Sequence, residues 1–187
     1  MDEKLPTFIM NENYLDYPMC THHRLYSVLL RDPIERVKSH EKHLDYTQYF
    51  RSLPYREKRL QLIRNNYMTW ALASGATKYG NRISLIPQRE HLEIAKETLA
   101  QLDFILELTN NQTCNQLILN IMGFSGYELP HKNEWKGKKR VLPVSDQRYK
   151  EYNQLDVELY DYAHELMKVD CEFFTRVERK LLQIHNE

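Results

Sequence analysis

Leu25-Tyr26-Ser27-Val28-Leu29-Leu30-Arg31-Asp32-Pro33-Ile34-Glu35-Arg36-Val37-Lys38-Ser39-His40 is the stretch on which the fold turns. Its first six residues form a nearly continuous apolar, partly β-branched run, the pattern of a strand buried on both faces as in a parallel sheet. The run stops at Arg31-Asp32-Pro33. Pro33 suits the first turn of a helix, where its missing N–H leaves no bond unmade, and Asp32 suits the N-cap. A strand is therefore predicted to pass straight into a helix. The N–H groups of such a first turn lack intrahelical partners and carry partial positive charge, and Arg31 adds a planar fork suited to bidentate phosphate binding. Ser39 follows about two helical turns later. Strand, turn and helix outline an anion site.

Outward from this stretch, Thr7-Phe8-Ile9-Met10 reads as a second short strand. Downstream, residues 56–74, 90–102 and 112–122 carry apolar side chains at three- and four-residue spacing, and Gly75 and Gly123 stand where helices end, so three helices are predicted. The apolar run at 103–108 reads as another strand, which gives the order β-α-α-α-β-α. Residues 128–144 lose all periodicity and hold Lys136, Lys138, Lys139 and Arg140, a basic loop. After Ser145 a periodic segment spans 147–168, and a separate amphipathic helix is predicted over 173–184.

With 187 residues the chain is long enough to bury one core without staples and reads as a single domain. Its 26 basic and 26 acidic side chains cancel, which argues against a protein that coats nucleic acid and makes any anion site local. Cys20, Cys114 and Cys171 are odd in number and widely spaced, so buried free thiols are expected, with neither a disulfide framework nor a zinc site. No run of eighteen apolar residues and no signal-like start occur. His40 and His43 lack a third ligand at suitable spacing and read as surface groups of one helix. Arg36 fits a surface pair with Asp32. Tyr149, Tyr152, Tyr160 and Tyr162 fall on helical stripes and read as core edges.

Residues 30–40 resemble the LRDPxERxxSH segment of carbohydrate-type sulfotransferases. Asn66-Tyr67-Met68-Thr69-Trp70-Ala71-Leu72-Ala73-Ser74-Gly75 is similar to that family's NYxTRxLAG helix, with Trp70 where Arg is common. Ala95-Lys96, Leu99, Leu102-Asp103-Phe104 and Glu107 follow its AKxxLxxFDFVGxxE rhythm, and residues 153–163 look like its NxLDxxLYxYA helix. The four matches occur in one order across most of the chain.

The resemblance implies a partial P-loop-like three-layer α/β domain with a small parallel sheet and predominantly helical content. It implies transfer of a sulfuryl group from 3′-phosphoadenosine 5′-phosphosulfate to a hydroxyl or amine of a glycan or small metabolite, with no metal. Arg31 and Ser39 would bind the cofactor's 3′-phosphate, and Lys138, Lys139 and Arg140 would belong to a basic loop closing over it or over an anionic acceptor. The base would come from residues 1–24, as Glu12 at the end of the first strand, or as His22 or His23. The family's 5′-phosphosulfate loop has no counterpart before Asn11, so the chain is expected to be N-terminally truncated. The alternative is a non-catalytic module that binds 3′-phosphoadenosine or a protein partner. Any membrane anchor, and with it a Golgi lumenal rather than cytoplasmic location, would lie in the part upstream.

Overall fold

Asp32 separates β1 (Ser27–Leu30) from α1 (Pro33–Leu44). Its Oδ1 accepts from Ile34 N and from Glu35 N, both at 2.9 Å, which makes it the N-cap that the sequence predicts. The computed structural model describes residues 25–44, 65–73, 87–108, 112–124, 126 and 145–185. After α1 come α2 (Tyr67–Ala73), α3 (Arg89–Ala100), β2 (Phe104–Glu107), α4 (Gln112–Ile121), α5 (Asp146–Tyr152) and α6 (Gln154–His185). Among the described residues the order from β1 to α4 is the expected β-α-α-α-β-α, although the helix expected over 56–74 is described only from residue 67. The strand expected at residues 7–10 and the basic segment at 128–144 lie outside the described residues. The described residues are mostly helical around a small two-stranded parallel sheet, an α/β arrangement in the coarse sense.

In that sheet Ser27 pairs with Phe104, Val28 with Ile105, Leu29 with Leu106 and Leu30 with Glu107. Side chains alternate between faces. On one face Leu30 and Ile105 join Met68, Leu72, Leu92, Ala95, Leu99, Leu159, Ala163 and Met167 in the main core, with Val28 packed against it. On the other, Phe104 and Leu106 pack with Ile118 and Leu119 of α4 and Phe174 of α6. Helix α6 therefore serves both faces, and in passing from one to the other it runs along the outer edge of β2. There Asp170 accepts from Ile105 N at 3.1 Å. Asn115 of α4 covers the next outward pair of groups, accepting from Glu107 N at 3.1 Å and donating to Glu107 O.

Two expectations are corrected here. The C-terminal quarter breaks at Asn153, between α5 and α6, and then runs unbroken through residues 168–173, where two separate helices were expected. Cys114 and Cys171 are joined in a disulfide, Cα atoms 5.6 Å apart, instead of remaining free thiols. Helix α4 ends as the sequence indicates: Gly123 takes φ +86°, which suits glycine, and Phe124 N bonds back to Leu119 O at 2.8 Å. Tyr149 and Tyr160 are buried, and Tyr152 and Tyr162 are half-buried, as their positions on helical stripes suggest.

Candidate functional site at the carboxyl edge of the sheet

The two parallel strands end side by side at Leu30 and Glu107, and Leu108 N still reaches Leu30 O at 2.8 Å. Arg31 is the next residue. It is half-buried, and its Nε is enclosed with no hydrogen-bond partner among the described residues. A buried guanidinium N–H left unpaired is costly, so this group is set to receive an acceptor. Ligands of open α/β sheets bind at this edge.

The first turn of α1 does not supply the anion-binding amides that the sequence suggests. Pro33 has no N–H, and Asp32 already takes those of Ile34 and Glu35 with a negative charge of its own. An anion here would be held by side chains. Ser39 is half-buried on α1 and lies about 200° round the helix from Val37, whose side chain is buried against Tyr149 with Ile34. Neither Arg31 nor Ser39 is sealed in the core.

Behind this edge the quoted motifs converge on a buried polar cluster that reading the sequence missed. The Asp156 carboxylate accepts from Met68 N at 2.9 Å and Thr69 N at 2.7 Å, capping α2 from within α6. Asn66 returns the contact: its Oδ1 accepts from Leu155 N at 2.9 Å and Asp156 N at 3.2 Å, capping α6, while its own N–H donates to Asn153 Oδ1 at 3.1 Å. To make this exchange Asn66 adopts φ +52°, a conformation asparagine tolerates better than most residues. Arg36 completes the cluster. Its side chain, 14% exposed, approaches Asp156 to 3.8 Å and lies 4.9 Å from the centre of the Tyr67 ring. The expected surface pair with Asp32 is thus replaced by an internal one. Burial pushes the Asp156 carboxyl above its ordinary value, against the opposing pull of Arg36 and the two amides. His40, expected at the surface, packs edge-on against Tyr67 with ring centres 6.0 Å apart. Trp70 lies 5.9 Å from the same ring.

A second cluster sits at the end of β2. The fully buried Glu107 carboxylate accepts from the Tyr160 hydroxyl and lies 3.7 Å from His164 Nε2. The signal was present in the sequence, since Glu107 and Tyr160 belong to two of the quoted motifs, but nothing in the spacing joined them.

Of the predicted site residues, Arg31 and Ser39 therefore fall on one strand-to-helix unit at the carboxyl edge. Glu12, His22, His23, Lys136, Lys138, Lys139 and Arg140 lie outside the described residues. Among the described residues no group of three or more His, Cys, Asp or Glu is placed to hold a metal ion. Scans of the chain against models of known protein families and against curated proteins return no match.

Proposed function

We propose that this chain is the 3′-phosphoadenosine-binding and C-terminal part of a sulfotransferase built on a P-loop-like three-layer domain, which uses 3′-phosphoadenosine 5′-phosphosulfate to modify a glycan or small hydroxylated acceptor. The observation that carries the reading is Arg31: a guanidinium half-enclosed at the carboxyl edge of a parallel strand pair, with its Nε unpaired, in the segment that resembles the family's 3′-phosphate motif. Ser39, on the helix that follows, is the proposed second phosphate ligand. In the transfer the acceptor oxygen attacks sulfur, the bond from sulfur to the nucleotide's phosphate oxygen breaks, and the acceptor proton passes to a base, for which Glu12 and His23 are the proposed residues. Such a reaction draws on positioning and charge stabilisation. Lys138, Lys139 and Arg140 would add positive charge over the bound anion.

Titration calorimetry with adenosine 3′,5′-bisphosphate tests the site. The chain is expected to bind it, and Arg31→Ala to weaken binding at least about tenfold, the loss expected for one charge-assisted hydrogen bond. Binding that Arg31→Ala leaves unchanged defeats the reading. Binding that depends on Arg31, without turnover of the phosphosulfate on any acceptor, identifies the non-catalytic nucleotide-binding alternative.

A further inference from the structure

Two neighbouring residues tie the first turn of α4 to the rest of the molecule. Cys114 is bonded to Cys171 of α6, with Cα atoms 5.6 Å apart. Asn115 is buried and takes both backbone groups of Glu107, accepting from its N–H at 3.1 Å and donating to its carbonyl oxygen. Glu107 is the last residue of β2 and stands in register with Leu30, after which the chain reaches Arg31. One residue on, Leu108 N bonds to Leu30 O at 2.8 Å. The covalent tie is therefore adjacent in the chain to the side chain that fixes the carboxyl edge of the sheet. Among the described residues the rest of the hold of α4 on β2 is apolar, Ile118 and Leu119 against Phe104 and Leu106, and apolar contact is non-directional.

The bond is also placed for exchange. Cys171 is half-buried whereas Cys114 is 3% exposed, so an attacking thiolate meets the Cys171 sulfur and expels that of Cys114. Cys114 is the third residue of α4, in a first turn whose amides have no intrahelical acceptors and favour negative charge, a setting that stabilises a departing thiolate. We propose that the bond from Cys114 to Cys171 is a redox-sensitive switch on the carboxyl edge of the sheet. A dithiol reductant attacks Cys171 and the sulfur–sulfur bond breaks with Cys114 as leaving thiolate. The reductant's second thiol then displaces Cys171 from the mixed disulfide, so the reductant ends as a disulfide and the chain gains two electrons and two protons as two thiols. Freed from α6, the first turn of α4 loses its fixed position, Asn115 releases Glu107, and the strand ends beside Arg31 loosen. The coupling to Glu107 stands on the hydrogen bonds alone, whereas its effect on nucleotide binding rests on the sulfotransferase reading.

Amide hydrogen exchange by NMR on the full chain tests the switch in the oxidised state, after dithiothreitol and after reoxidation with glutathione disulfide. Glu107 and Leu108 report on the edge, Ile118 on α4, and Leu99 and Leu159 on the main core. Reduction should speed exchange at Glu107 at least about tenfold, the effect of losing one buried hydrogen bond, with Leu99 and Leu159 unchanged, and reoxidation should restore the slow rate. In Asn115→Ala, Glu107 should exchange fast in both states while Ile118 still responds to reduction. Affinity for adenosine 3′,5′-bisphosphate should fall at least about tenfold on reduction and recover on reoxidation. A bond that dithiothreitol cannot open in the folded chain overturns the proposal. So does protection at Glu107 that survives reduction while that of Ile118 falls, because the bond then holds α4 alone. Equal losses at Glu107, Leu99 and Leu159 overturn it as well, since reduction then unfolds the whole domain. Nucleotide bound equally tightly in both states, with Glu107 loosened, overturns the link to the site. Nucleotide bound in neither state defeats the sulfotransferase reading instead, and the exchange rates still decide the switch.

Discussion

Asp156 is a single carboxylate serving two helices, and its neighbours make its removal costly. It lies where the amino ends of α2 and α6 meet, so two partial positive charges converge on it along with the Arg36 guanidinium. Truncation in Asp156→Ala leaves Met68 N and Thr69 N without an acceptor and Arg36 buried without its counter-ion. The expected loss of stability is about 3–5 kcal/mol, the range for breaking a buried ion pair from one side. The double variant with Arg36→Met removes the stranded charge, and it should be more stable than Asp156→Ala alone. Urea denaturation of the four-member cycle measures this. Additive losses would show that the pair does not interact. The same cluster bears on the proposed site: with Arg36 paired to Asp156, Arg31 is the arginine of that segment that we propose for the phosphate.

Between elements, α3 and α6 are held on their outer side by Glu158, which accepts from Arg89 and from Lys96, the latter at 2.8 Å. Lys96 first and then Arg89 hold its carboxyl below the ordinary value. A carboxyl whose folded pKa is depressed contributes stability above its unfolded pKa of about 4.3, and that contribution disappears as pH falls through the lower folded value. Glu158→Gln should therefore flatten the acid limb of a stability profile taken between about pH 7 and pH 3. The difference should shrink in high salt, since the pair is partly exposed. An acid limb identical to that of the wild type counts against the staple. At this scale the sequence was legible where the determinants are local. The apolar run before Arg31, Asp32 with Pro33, and Gly123 each act within a few residues of themselves, and the elements they delimit lie where expected. The break at Asn153 was not legible, because the groups that make it lie 87 positions away at Asn66. The unbroken α6 was missed because Lys168 and Asp170 interrupt the apolar count, whereas the buried stripe continues through Ala163, Met167 and Phe174 as the helix moves from one face of the sheet to the other. Arg36 pairs across 120 positions with Asp156, so neighbours in the chain gave the wrong partner.

For the molecule as a whole, the smaller of the two sheet faces depends on a covalent link. Phe104 and Leu106 are covered by α4 and by one turn of α6 around Phe174, a much smaller cluster than the core on the opposite face. The disulfide from Cys114 to Cys171 ties those two coverings together and closes a loop of 57 residues. Restricting the unfolded chain by a loop of that length is worth about 4 kcal/mol. That is a large share of the about 5–15 kcal/mol by which folded domains are stable. Reduction, or Cys114→Ser with Cys171→Ser, should thus lower the denaturation midpoint by a corresponding amount. The loss should appear first on the covered face: amides of α4 such as Ile118 should exchange faster, while Leu99 and Leu159 in the main core keep their protection. Thiol titration provides the prior check. Of the three cysteines, one thiol should titrate in the denatured chain before reduction and three after it. Three reactive thiols in the denatured, unreduced protein would remove the link from the account and leave Asn115 and apolar contacts, among the described residues, to hold α4 to the sheet.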